Sequence, residues 1–389
     1  MRRKKIVSEP TSHDFRLNNS SLTSCYFIMK SKENADNTTT GISRTKDKPR
    51  EILEKIMKVL LPVGISVAML IWMTHKLNFH QIWSIITHDV DYWWLLLVML
   101  FTMLSYSIRG IRWGYQLRAA GIPRMSVVSE SVSIFSAYAI NLLVPYLGEA
   151  WRCVYVTRRE NAKLSTVIGT DIADRSSDLV MILLLTGLAL GVASPALTRF
   201  FDEYQFGREI ENILGRWELW TGIALAIGIF IICDLKYRNA KFFKGFNQSC
   251  SRMWQGFKVI FTMKGRWTYL FLTIAIWVFY FLKIYLVFFA FPFTRELLVN
   301  HPGYAYGLLP GLVAFVFGSF SMAIPSNGGL GPWNIAVMYA LMLYGVGHTD
   351  AAAFSIVAWS TQTFMTILLG IYSMIYIAVT KKKHTLKMP

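Results

Sequence analysis

Asn-Leu-Leu-Val-Pro-Tyr-Leu-Gly-Glu-Ala-Trp-Arg, residues 141–152, is apolar until it breaks at Pro145 and Gly148, then turns charged at Glu149 and Arg152. Residues 322–334, Met-Ala-Ile-Pro-Ser-Asn-Gly-Gly-Leu-Gly-Pro-Trp-Asn, repeat the arrangement with an apolar arm, Pro325, the glycines Gly328, Gly329 and Gly331, and a restart. Two Pro/Gly-interrupted hydrophobic segments at corresponding places in two halves of a chain point to a binding site between membrane repeats. The remaining sequence reads as scaffold for this pair.

Composition sets the class. The 389 residues are 54% hydrophobic and 16% charged, with a mean hydropathy of +0.39, and several apolar runs are long enough to cross a bilayer, which takes a helix of roughly 20 residues. The expected fold is therefore an all-α polytopic membrane protein. A formal charge of +17 raises the question of nucleic acid, but the basic residues lie between apolar segments, where the positive-inside rule accounts for them. No nucleic-acid partner is expected. Cys25, Cys153, Cys233 and Cys250 stand far apart without C-x-x-C spacing, so neither a metal site nor a disulfide framework is indicated.

The Lys/Arg distribution gives the topology. Residues 1–55 form a basic polar leader that cannot bury enough surface to fold alone, with translation from Met29 as an alternative start. Spans are expected at 56–73, 92–108, 165–193, 217–233, 268–291 and 353–379. The flank after 92–108 carries Arg109, Arg112, Arg118 and Arg124 and the flank after 127–145 carries Arg152, Arg158, Arg159 and Lys163, so both are expected in the cytoplasm. Segment 127–145 then enters and returns as a hairpin. Irregular backbone at membrane depth is tolerated only inside protein or along a watery cavity, so the bend predicts a cavity. Residues 308–347 form a second hairpin, entering from outside. The loop 234–267 has eight basic residues against one acid, the strongest cytoplasmic marker. The sum is six crossings and two broken hairpins, arranged as an inverted repeat of 56–193 and 194–379 with a basic tail at 380–389; eight full spans is the alternative. Both termini are expected in the cytoplasm.

At each bend a new helix starts after glycine, and its free amides and dipole favour an anion; tight packing of small residues explains the same glycines. Glu149 and Arg152 are spaced to neutralise each other on a helix, or Arg152 acts with Arg109 and Arg112 to draw anionic headgroups inward while Glu149 caps its helix or meets a cation. Asp171, Asp174 and Asp178 share one helical face beside Arg175, as a pathway or as a structural ion network. Lys283, deep in an apolar run, either pairs with one of these carboxylates or snorkels.

In content and order these motifs resemble the flippase-like transmembrane family typified by the N-terminal region of bacterial lysylphosphatidylglycerol synthase: Pro145-Tyr-Leu-Gly148-Glu149 with Arg152, Asp174-Arg175 with Asp178, and Pro325 with Gly328-Gly-Leu-Gly331. The resemblance covers about residues 50–380 and implies lipid movement between leaflets of a bacterial inner membrane. Partners it implies are an anionic phospholipid or lipid-linked headgroup, with a homo-oligomer or a separate lipid-modifying enzyme. Two departures stand out. Trp333-Asn334 occupies the place where the family often has a glutamate, and a chain ending at 389 leaves no room for the soluble aminoacyltransferase domain. No cofactor and no nucleotide-binding motif is expected. The competing classes are a non-transporting partner in envelope or glycolipid assembly, and an intramembrane enzyme, against which the three aspartates share one helix and no serine or cysteine has a histidine partner.

Overall fold

Residue 92 opens the first long helix because Asp91 in front of it caps the free amides: its carboxylate accepts a hydrogen bond from the N–H of Trp93 at 3.2 Å. The computed structural model describes residues 79–203, 215–236, 262–301 and 303–385, with isolated positions at 64, 68, 69, 212 and 247. The leader, most of the span expected at 56–73, most of the loop 234–267 and the last residues 386–389 lie outside the described residues. The described elements belong to the unit Lys58–Pro389.

They are helical throughout. A short helix α1 (Phe79–Ser84) continues as one π turn and leads into α2 (Tyr92–Ala119); α3 (Val127–Leu143), α4 (Leu147–Arg159) and α5 (Leu164–Glu203) follow. The second half has α6 (Trp217–Lys236), α7 (Arg266–Val287), a single turn α8 (Pro292–Arg295), α9 (Leu308–Ser321), α10 (Pro332–Met342) and α11 (His348–Thr385). Among the described residues four helical stretches are long and apolar enough to cross a bilayer: Tyr92–Ala119, Leu164–Val192, Arg266–Val287 and His348–Thr380. The protein is an all-α polytopic membrane protein. Exposed Leu183, Leu184 and Leu188 on α5 and Phe364, Ile367 and Ile371 on α11 make the apolar outer face that a bilayer covers.

Both expected hairpins are broken helices. Arms α3 and α4 have 17 and 13 residues, and α9 and α10 have 14 and 11, each short of the roughly 20 a crossing needs. The first break puts the non-glycine Tyr146 at φ 63°, and the second puts Gly331 at φ 90° in the matching place before α10. Packing also repeats between the halves: α2 lies along α7, α3 against α11 as α9 against α5, α2 against α3 as α7 against α9, and α4 against α5 as α10 against α11.

Helix ends differ from the expected spans. α2 runs on through Arg109 and Arg112, and α5 runs on to Glu203, because hydropathy marks only the apolar part of a helix whose hydrogen-bonded backbone continues. α2 and α3 approach closely at Gly110 and Gly114, where a Cβ would stand 2.7 Å from the Glu130 carbonyl and 2.2 Å from its carboxylate. Arg118 donates to that carboxylate at 2.8 Å.

Gly110→Val should lower stability by about 1–3 kcal/mol through overpacking. Gly169→Ala, on a helix with nothing within 4 Å of the added carbon, should leave the melting temperature in detergent unchanged or slightly raised; equal melting of the two variants would contradict the close packing of α2 on α3.

Candidate functional site

Three carboxylates on one face of α5 meet three guanidinium groups from α2 and α4. Arg112 donates to Asp174 at 2.5 Å and to Asp178 at 2.9 Å. Arg109 donates to Asp174 at 3.2 Å and also to Asp178. Arg152 donates through Nε to Asp171 at 2.7 Å and lies 3.6 Å from Asp174, its guanidinium 4.4 Å from the centre of the Trp113 ring. Arg109, Arg112, Arg152 and Asp174 are all at most 3% exposed. Removing ions from water is expensive and is offset only when each is paired and hydrogen-bonded; three positive and three negative groups meet that condition.

Several expectations are corrected here. Arg109 and Arg112 are buried and neutralised by the aspartates of α5, so their charges are not free to draw anionic headgroups inward. Glu149 does not pair with Arg152; it pairs with Arg175 and accepts from Asn141 Nδ2 at 3.1 and 3.2 Å. Lys283 neither snorkels nor meets a carboxylate. It is buried and donates to Gln362 Oε1 at 2.8 Å. The first amides after the bends are also taken: Gly148 N–H donates to Asn141 Oδ1 at 2.7 Å and Gly331 N–H to Asn334 Oδ1 at 3.1 Å. Those two donors are not open to an anion. Gly148 instead answers to packing, since a Cβ there would lie 1.9 Å from the Ala137 carbonyl oxygen.

The two bends meet. Asn327 Nδ2 donates to the carbonyl of Leu143 at 3.0 Å, and Trp359 on α11 donates to the carbonyl of Gly328 at 2.9 Å. Behind this contact lies a cavity of about 390 Å³, within the size range of small-molecule sites. Of the residues singled out from sequence, Arg109, Pro145, Glu149, Arg175, Asp178, Lys283, Gly328 and Gly329 line it, whereas Arg112, Gly148, Arg152, Asp171, Asp174, Pro325 and Gly331 do not. Sequence reasoning missed Tyr106, Tyr138, Trp277, Tyr280 and Gln362 on its wall. A signal existed: Trp277, Tyr280 and Lys283 recur every three residues on α7, one stripe of a helix.

Fold and site together define a polytopic membrane protein whose two broken helices close on a partly charged cavity. The chain belongs to the lysylphosphatidylglycerol synthase TM region family, whose model matches residues 59–370. Comparison with curated proteins and with solved structures finds no match.

Asp174→Asn should cost about 3–5 kcal/mol, since it leaves buried guanidinium charge uncompensated. Adding Arg112→Met should recover at least half of that loss. A double-mutant cycle by thermal unfolding in detergent checks this, and additive losses would contradict the coupling.

Proposed function

We propose that the protein is a lipid translocase that moves a phospholipid or a lipid-linked headgroup between leaflets of a cell inner membrane. The observation that carries this reading is the cavity where two helix breaks from opposite halves of the chain meet. Broken helices at a repeat interface are the usual place for substrate in transporters built from internal repeats, and the counterpart packing of the two halves supports an inverted repeat. Both termini then face the cytoplasm. In this reading a headgroup occupies the polar part of the cavity while acyl chains follow its apolar wall, which includes Val98, Ile284, Val287 and Phe315. In this reading the chain acts as a transporter, with membrane lipids and any lipid-modifying enzyme that supplies them as its partners.

A second reading, a non-transporting partner in envelope assembly, draws on the closure of the Arg–Asp network, which suits a rigid scaffold. The two readings part on what blocking the cavity does. Ser319→Trp places a large side chain on the cavity wall from α9, at a half-buried position.

Liposomes containing the purified protein and headgroup-labelled anionic or zwitterionic lipids should exchange lipid between leaflets faster than empty liposomes. Ser319→Trp should slow that exchange by about tenfold, a barrier change of roughly 1.4 kcal/mol. Exchange at the empty-liposome rate for every lipid would overturn the translocase reading, and faster exchange indifferent to Ser319→Trp would overturn the cavity as its path.

A further inference from the structure

The charged residues on the cavity wall are Arg109, Arg175 and Lys283 against Glu149 and Asp178, three cations to two anions. Arg109 is bonded to Asp178 and Arg175 to Glu149, so the surplus positive charge resides on Lys283. This residue is 8% exposed. Its ammonium has three protons to give, and the hydrogen bond to Gln362 uses one of them. No carboxylate lies within ion-pair distance of it among the described residues. Its Nζ stands 4.6 Å from the centre of the Tyr280 ring and 5.4 Å from that of Tyr106, an arrangement that eases the loss of water around a cation without cancelling its charge.

The neighbouring polar atoms want the same kind of partner. Trp277 Nε1, one stripe position along α7 from Tyr280, is buried without a hydrogen-bond acceptor, as is Arg109 Nε. Both are donors. A buried donor left without an acceptor is costly; two such donors belong to residues of the cavity wall, and beside them the Lys283 ammonium keeps two protons beyond its bond to Gln362, a set that calls for a group rich in acceptors and bearing negative charge. The faces of Tyr106 and Tyr280 on this wall already hold the Lys283 ammonium.

From these observations we infer that Lys283, Gln362 and Trp277 form a subsite for one oxyanion carrying a single negative charge, the phosphodiester of a lipid headgroup. The identification of the lipid as the source rests on the translocase reading; the anion subsite does not. With the oxyanion bound, Lys283 donates its remaining protons and the cavity becomes neutral.

Isothermal titration of the purified full-length chain in detergent tests this with three probes: short-chain phosphatidylglycerol, the matching uncharged diacylglycerol, and inorganic phosphate. Phosphatidylglycerol should bind and diacylglycerol should not compete. Lys283→Gln should weaken binding by at least about tenfold, whereas Lys283→Arg should stay within about threefold. Gln362→Glu keeps the lysine but supplies an internal counter-charge, and should also weaken binding by about tenfold. Unchanged phosphatidylglycerol affinity in Lys283→Gln and Gln362→Glu proteins that melt like the parent chain, or competition by diacylglycerol, would overturn the subsite. Binding of inorganic phosphate through Lys283 with none of phosphatidylglycerol would uphold the anion subsite and overturn the lipid as its source.

Discussion

Desolvated charge is the constraint on which this structure depends. Arg112 and Asp174 are both fully buried, in a molecule whose outer face is apolar, and neither is tolerable without the other. Because Arg109 and Arg112 lie on α2, Arg152 on α4 and the three aspartates on α5, closing the network fixes the second arm of the first hairpin against two long helices. The bend before that arm is thereby held in place, and with it Tyr146, whose positive φ is a conformation that a loose loop would relax.

The second half solves the same problem without charge. Its α9, α10 and α11 pack through an apolar cluster that includes Phe288, Phe291 and Phe354, and Asn334 ties α10 to the carbonyl of Ser355 at 3.0 Å. The first half thus adds buried ion pairs to its packing, whereas the second hairpin is held by apolar packing and an amide, although their helices meet in corresponding pairs. This asymmetry explains why the cavity's charge is lopsided. Every arginine on its wall has a carboxylate from the first half, while Lys283, contributed by the second half, has only an amide.

The helices were legible because hydropathy is a local property, and the two bends were legible because proline and glycine interrupt it at Pro145, Gly148, Pro325 and Gly328. What was hidden is non-local. Arg109 and Arg112 look like the cytoplasmic end of a span until their partners, more than 60 positions later at Asp174 and Asp178, are brought beside them. Capping by Asn141 and Asn334 was equally hidden, since an asparagine near a bend has no sequence mark that says which amide it will take. Of the candidate site, the residues flanking the breaks were found, while the aromatic wall was missed because tyrosine and tryptophan in membrane helices usually only pack or sit at the interface. Arg152 and Asp174, prominent in the sequence, belong to the scaffold behind the cavity, so loss of activity on changing them would report stability before it reported a path.

In the proposed translocase the contact between the two bends closes the cavity and has to part for a headgroup to pass. A chain with its native cysteines replaced and with Leu143→Cys and Asn327→Cys introduced places the new thiols at the contact where Asn327 bonds the Leu143 carbonyl. Oxidation in proteoliposomes should cross-link the bends and stop leaflet exchange, and reduction should restore it. A cross-link that forms fully while exchange continues at its original rate would contradict the account.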